Sequence, residues 1–226
     1  NCHCTVSDLR HLIHQNKRND KMIVLQSAYF APVDYYAKIY AHDKILVEQH
    51  DHYVKQTYRN RCRIQTESGV MDLSIPVEKH TDKTKIRDIC ISYGQEWRRL
   101  HLRAMETSYN STPFFEYYKD DIHAIYEKKE KYLFDFNMLL LEFTLDALGM
   151  KREILTTDSY FEGEAGIEDA RELFHPKKEN TDTGSKPYYQ MFAEKFGFTD
   201  GLSIVDLLFN LGPESVLYLK EKSKTI

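Results

Sequence analysis

Four side chains within residues 53–63 have the chemistry to hold an anion: Lys55, Arg59, Arg61 and Arg63, interleaved with Tyr53, Gln56, Tyr58 and Asn60. Guanidinium forks match the oxygens of phosphate and carboxylate groups. If this run is extended, its odd positions share one face, which sets the four cations side by side with Tyr53 among them. The chain has a formal net charge of -4, so such a stack asks for an anion or an acidic partner to neutralise it. A solvated edge strand, charged against aggregation, fits the same residues equally well. His101 lies four positions after Trp97; it fits a general base titrating near neutral pH, and it also fits a helix-face histidine packed on Trp97. Asp206 closes the pattern Ser203-Ile-Val-Asp206, which reads both as a helix-capping box and as a carboxylate available for chemistry. Asn60 has an amide that could donate to an oxyanion. Lys55 and Gln56 would support an anion pocket built on Arg59 and Arg61.

The elements that must position these groups follow from periodicity. Met22 to Gln26 reads as a buried strand, Pro32 opens a helix carrying Val33, Tyr36, Ile39 and Tyr40, and Lys44 to Gln49 reads as a second strand. That is a βαβ unit with a parallel pair. Tyr29, Tyr35 and Lys38 follow the first strand, where ligand crevices of α/β sheets form, and are pocket candidates for that reason. Arg61–Thr66 and Val70–Val77 read as a hairpin around Glu67-Ser68-Gly69, and Ile86–Ser92 as a further strand. On that hairpin Cys62 faces away from Arg61, as a buried thiol. From Gln95 the pattern is helical: a segment with Trp97, His101 and Met105, another from Thr112-Pro113, and a third from Lys131 to Leu148 closed by Gly149. Ile154–Tyr160 reads as a strand, residues 180–186 as a mobile loop, Pro187 to Gly197 as a helix, and Ser203 starts the helix stopped by Gly212-Pro213. The fold class is therefore α/β in a mixed α+β sense: an N-terminal βαβ unit and hairpin, then a helical region packed on the sheet.

The bulk composition bounds the rest. With 31 basic against 35 acidic residues the chain is not a general nucleic-acid binder. No apolar run is long enough to span a bilayer. Cys2, Cys4, Cys62 and Cys90 make no secreted disulfide framework, which points to the cytoplasm. The Cys2-His3-Cys4 cluster with His11 and His14 lacks a second pair at zinc-ligand spacing, so no metal is assigned. Residues 1–21 read as an extension outside the core, and 22–226 as one domain with sub-regions 22–92, 93–150 and 151–226.

Five segments in order resemble the WbqC-like protein family: Tyr29-Phe30-Ala-Pro32 with Tyr35-Tyr36; Tyr53 to Arg61; Trp97-Arg98 with His101; Pro113-Phe114-Phe115-Glu116-Tyr117-Tyr118; and Leu202-Ser203 through Asn210 to Gly212-Pro213-Glu214. The resemblance implies a protein of bacterial O-antigen or related surface-polysaccharide biosynthesis that transfers a glycyl or other amino-acyl group to a sugar. The alternative is a non-catalytic anion-binding or scaffold protein of the same assembly machinery. The implied partner is a phosphate- or carboxylate-bearing small molecule, such as a nucleotide- or lipid-linked sugar. No cofactor is implied beyond an activated donor. The site expected is His101, Asn60 and Asp206 as catalytic groups, with Tyr29, Tyr35, Lys38, Tyr53, Lys55, Gln56, Tyr58, Arg59 and Arg61 binding the substrate. Many relatives carry a Gly-rich segment in the C-terminal half; here that region has only Asp182-Thr-Gly184-Ser185-Lys186.

Overall fold

The computed structural model describes residues 21–176 and 186–226. Strand β1 (Met22–Gln26), helix α1 (Val33–Tyr40) and strand β2 (Lys44–Glu48) form the expected βαβ unit, with Met22 in register with Lys44 and Gln26 with Glu48. Pro32 holds the extended backbone that launches α1 at φ -64°. Two late strands complete the sheet: β5 (Glu153–Thr156) beside β2, and β6 (Ile167–Asp169) beside β1. All pairs are parallel and the order is β5-β2-β1-β6. The central strands are apolar on both faces, as parallel strands covered on both sides are. Ile23, Leu25, Ile45 and Val47 join the main core, while Met22, Val24 and Leu46 pack with Leu155, Phe161 and Ile167 on the other face.

Strands β3 (Arg61–Thr66) and β4 (Gly69–Ser74) form the hairpin. Gly69 at φ +115° makes the turn, and β4 stops at Ser74, short of Val77. The extended run expected through residues 53–63 is absent before Arg61. Residues 55–60 form turns, with Gln56 at φ +59°, so the four cations do not share a face. Ile86–Ser92 is not a strand either. A 3-10 turn (Ile86–Asp88) is followed by single bridges, Cys90 to Tyr132 and Val77 to Ile91, which tie the hairpin's exit to the next helices rather than to a sheet.

The helical region comprises α2 (Trp97–Tyr109), α3 (Phe115–Glu127) and α4 (Leu133–Ala147), closed by Gly149 at φ +64°. Beyond it, α5 (Ala193–Phe196) is a single turn ended by Gly197, so the helix expected from Pro187 forms only at its end. The polar loop expected at 180–186 falls largely outside the described residues. Helix α6 (Ile204–Leu211) is buried along nearly its whole length, and the Gly212-Pro213 stop passes through a 3-10 turn directly into α7 (Ser215–Lys222). No helix among the described residues is long and apolar enough to cross a membrane.

Candidate functional site

The chain leaves β1 for β2 and β5 on one side, then returns to add β6 on the other side of β1. In open parallel sheets this reversal of strand order opens a crevice at the carboxyl ends of the strands, and ligands bind there. A cleft of ≈ 440 Å³ lies at this point, lined by Asp51, Tyr160, Asp169, Arg171, Glu172 and Leu173. Asp51 follows β2, Tyr160 follows β5, and the other four lie at or just beyond the end of β6.

Each wall is built from the strand ends upward. The Glu48 carboxylate, fully buried at the end of β2, accepts from the Thr157 hydroxyl at 2.9 Å and from the backbone N–H groups of His50 and Phe161 at 2.6 and 2.7 Å. Arg171 lies 3.5 Å from the same carboxylate and donates at 3.0 and 2.7 Å to the two oxygens of Asp169. The Arg171 guanidinium holds Asp169 below the usual carboxylate range, and its cation rests 4.9 Å from the centre of the Tyr160 ring. Gln26, the last residue of β1, donates from its side chain to Glu172 at 3.1 Å. On the opposite wall Arg59 donates to Asp51 at 2.6 Å. Arg59 is 4% exposed and Asp51 is 24% exposed, so the cation is locked behind and the carboxylate faces forward. Burial pulls the Arg59 guanidinium down from its usual value, and Asp51 opposes that shift.

The basic run is thus divided. Arg59 reaches the cleft wall, whereas Arg61 and Arg63 on β3 pair with Asp72 of β4 at 3.0 and 3.4 Å. Asn60, between them, donates to the Ile75 carbonyl at 2.9 Å. Lys55 and Gln56 are exposed on the turn. Tyr53 packs edge-on to His80, and burial raises its hydroxyl to about 12. Tyr58 is buried on the hairpin side; desolvation raises its hydroxyl, and Arg63 opposes that rise.

Tyr29, Tyr35 and Lys38 do not line the crevice. Lys38 pairs at 2.9 Å with Glu168, which is in register with Ile23 rather than with the end of β1. Tyr35 is buried, and its hydroxyl donates to the Gln26 carbonyl at 2.8 Å. Tyr29 is fully buried, hydrogen-bonded to the Tyr126 hydroxyl and, at 2.8 Å, to Nδ1 of His101. His101 sits 6% exposed against Trp97, and desolvation lowers it to about 4, partly offset by the Ser74 backbone. It is a neutral imidazole at pH 7 whose hydrogen bond fixes the loop after β1. That loop holds Phe30 at φ +41°, a conformation few non-glycine residues adopt. Cys62 is a buried thiol, its ionisation opposed by desolvation.

Asp206 does not complete the capping box. Ser203 caps α6 through the Val205 N–H, but the Asp206 carboxylate turns away to accept from Tyr109 at 2.9 Å, Tyr188 at 2.5 Å and Gln190 at 3.2 Å. Burial raises it to about 6. Asp206, His101 and Arg59 therefore have separate sets of partners.

Glu48, Asp51, Tyr160, Asp169, Arg171 and Glu172 were not singled out by the sequence reading. The rule that ligands meet strand ends pointed to the loop after β1; applied to β2 it reaches Asp51 as well. Strand β6 has only three residues, too short to show a period, so Asp169 and Arg171 had no strand to end. Among the described residues no cluster of His, Cys, Asp and Glu could hold a metal ion; the Cys2–His14 group lies outside them.

Comparison with known proteins matches the sequence model of the WbqC-like protein family to residues 26–182. The Leu202–Glu214 motif lies beyond that span. Over 227 residues the chain is 26% identical to Rv1507c, an uncharacterized protein of Mycobacterium tuberculosis, covering 88% of this chain and 97% of that protein. No solved structure matches. The matched span runs from the last residue of β1 through β6 and takes in the hairpin and the cleft walls, and the chain belongs to the WbqC-like protein family.

Proposed function

We propose that the protein transfers a glycyl or other amino-acyl group to a sugar during assembly of a bacterial O-antigen or related surface polysaccharide, and that the sugar occupies the cleft at the carboxyl ends of β1, β2 and β6. The observation that carries this reading is the make-up of the cleft. A carboxylate–guanidinium pair, Asp169 with Arg171, stands beside the half-exposed ring of Tyr160. Paired charged groups of this kind hydrogen-bond to neighbouring sugar hydroxyls, and an aromatic ring covers the apolar face of a pyranose. The surface-polysaccharide context is what the resemblance to the family implies, and it forms part of the proposal.

In this reading His101, Tyr29 and Tyr126 hold the loop after β1, and Asn60 holds the hairpin exit, so that the cleft keeps its shape. Arg59 acts through Asp51. Arg61 and Arg63 share the single carboxylate of Asp72, which offsets one of their two charges, and both stand on the hairpin rather than in the cleft lining. The test is incubation of the purified protein with a panel of sugars and activated amino acids, read by mass spectrometry. A product heavier than the sugar by one amino-acyl group supports transfer. Binding without product in every combination replaces it with a non-catalytic role. Arg171→Ala is expected to weaken sugar binding at least tenfold while the far-ultraviolet circular dichroism stays unchanged.

A further inference from the structure

We infer that Asp206 works as a pH-sensitive clasp: its carboxyl group fastens residues 186–200 to helix α6 while protonated and lets them lift when it ionises. The inference stands apart from the transfer reading, since Asp206 is not in the cleft lining. It begins from what reaches the carboxylate. Asp206 is 1% exposed, and its partners are all uncharged: Tyr109 of α2 at 2.9 Å on one oxygen, Tyr188 at 2.5 Å and Gln190 at 3.2 Å on the other. No cation is among the groups that act on it. Burying a carboxylate without a cation is costly, so such a site favours the neutral acid. Burial accordingly raises Asp206 from 3.8 to about 6, and the three donors oppose the rise. The neutral acid keeps its contacts, because a tyrosine oxygen accepts as well as donates.

The second observation is how little else holds the segment. Between residues 186 and 200 Gln190 alone is buried, and the single turn of α5 buries no residue. Segments with few buried apolar groups open at low cost. The Gln190 amide closes this one into a loop. Its nitrogen donates to the Thr199 carbonyl and its oxygen accepts from the Thr199 N–H, both at 2.8 Å, and the same nitrogen reaches Asp206. Tyr188 rests its ring against Phe198 at 5.3 Å and against Tyr218 of α7 at 5.0 Å. At the far end Lys195 donates to the Glu67 carbonyl of the hairpin turn at 2.8 Å, in an exposed position. The two residues that hold Asp206 from this segment are therefore the two that organise it.

The other titratable groups around Asp206 keep their protons over the same range. Burial raises the hydroxyls of Tyr109 and Tyr188 well above the ordinary tyrosine value, and raises Tyr218 behind Tyr188. Cys62 of β3, which acts on Tyr109, is raised too, and β3 otherwise meets Tyr109 through the Gln65 N–H. Helix α3 meets α6 through Phe115 against Phe209. Lys222 of α7 and Asp34 of α1 pair with each other, with Asp200 beside them. Once the segment lifts, Asp206 meets water and returns towards 3.8, so the closed form binds the extra proton. The hold that Asp206 exerts is complete below 3.8 and is lost as pH rises through about 6.

The experiment is hydrogen exchange of the full-length protein, followed by NMR from about pH 4 to about pH 7.5, with each rate divided by the intrinsic rate at that pH. The Thr199 amide, held by the Gln190 side chain, reports the clasp, and the amides of β1 report the whole fold. Opening at Thr199 should increase about a hundredfold across this range, while β1 does not follow. Asp206→Asn should abolish the slope, whatever level of protection it leaves. Tyr188→Phe keeps the ring and removes a donor that favours the ionised form, so the midpoint should move above 6. A role of Tyr188 in packing alone would leave the midpoint in place. A flat profile at Thr199 in the unaltered protein overturns the clasp, and so does the same slope in Asp206→Asn. Loss of β1 protection in step with Thr199 overturns it too, because the opening is then global. If Asp206→Asn does not fold, Tyr188→Phe decides, and an unmoved midpoint overturns the inference.

Discussion

Two buried titratable residues pull the stability of this protein in opposite directions. His101 has its folded value lowered to about 4 by burial, below its usual value near 6.5. The unfolded chain binds the extra proton between those values, so the stability His101 contributes is complete above about pH 6.5 and is lost as pH falls through about 4. Asp206 has its folded value raised to about 6 from 3.8. The folded chain binds the extra proton there, so its contribution is complete below 3.8 and lost as pH rises through about 6. Between pH 4 and 6 the two slopes largely cancel. Asp206→Asn should expose the His101 slope: the unfolding free energy of the variant, read from urea titrations, should rise from pH 4 to 6.5 by an amount on the order of 2 kcal/mol, while the unaltered protein changes little. His101→Gln should show the reverse, with the free energy falling over the same range. Parallel pH profiles for all three proteins would mean that neither group titrates where its burial places it. In the proposed reaction, His101→Ala is expected to lower turnover through displacement of Tyr29, and wild-type turnover in that variant would show that the loop after β1 does not shape the cleft. That the sequence offered His101 and Asp206 as catalytic groups reflects a real signal, since both are polar residues in apolar patterns. What it could not show is that Tyr29 satisfies one, and that Tyr109, Tyr188 and Gln190 satisfy the other.

At the scale of elements, the strong periodic segments were legible and the segments shaped by contacts were not. β1, α1, β2 and α2 to α4 carry enough apolar repeats to declare themselves. β6 and α7 do not: one is three residues long, and the other is exposed along much of its length. Residues 53–60 alternate like a strand, but no neighbouring strand pairs with them. Their backbone instead turns, and Tyr29 donates to the Tyr58 carbonyl at 2.8 Å. The chain's cations were visible, but their partners Asp51 and Asp72 lie on other elements, so the sign of the site was not. Gly212 shows how tightly one junction is set. At φ +54° it joins α6 to the 3-10 turn, and an added methyl group would stand 2.4 Å from the Phe114 ring, whose own N–H donates to the Phe209 carbonyl. Both the left-handed conformation and the close approach oppose any other residue. Gly212→Ala should destabilise the fold by about 2–4 kcal/mol, read by chemical denaturation, and a loss under about 0.5 kcal/mol would show that the Phe114 loop yields freely.

At the scale of the whole molecule, the chain closes on itself. The parallel sheet cannot form from neighbours alone, because β5 and β6 arrive only after the hairpin and three helices, and the cleft exists only once they have joined β2 and β1. The last helix then returns to the first. Lys222 on α7, its side chain 1% exposed, lies 2.8 Å from Asp34 in the first turn of α1 and 3.6 Å from Asp200. Burial raises Asp34, and Lys222 opposes that rise. Removing one partner of such a cluster costs more than the pair contributes, because a charge stays behind in a dry place. The two possible removals are not equivalent. Lys222→Met leaves Asp34 and Asp200 facing each other without this cation, whereas Asp34→Asn leaves Lys222 still beside Asp200. Lys222→Met should therefore destabilise by about 3–5 kcal/mol, clearly more than Asp34→Asn. The same order should appear in the protection of β1 and β2 amides from hydrogen exchange, since α7 packs on the helix that joins those strands. If Asp34→Asn proved the worse of the two, or if Lys222→Met left exchange in β1 and β2 unchanged, the terminal helix would be an accessory to the fold rather than its final closure.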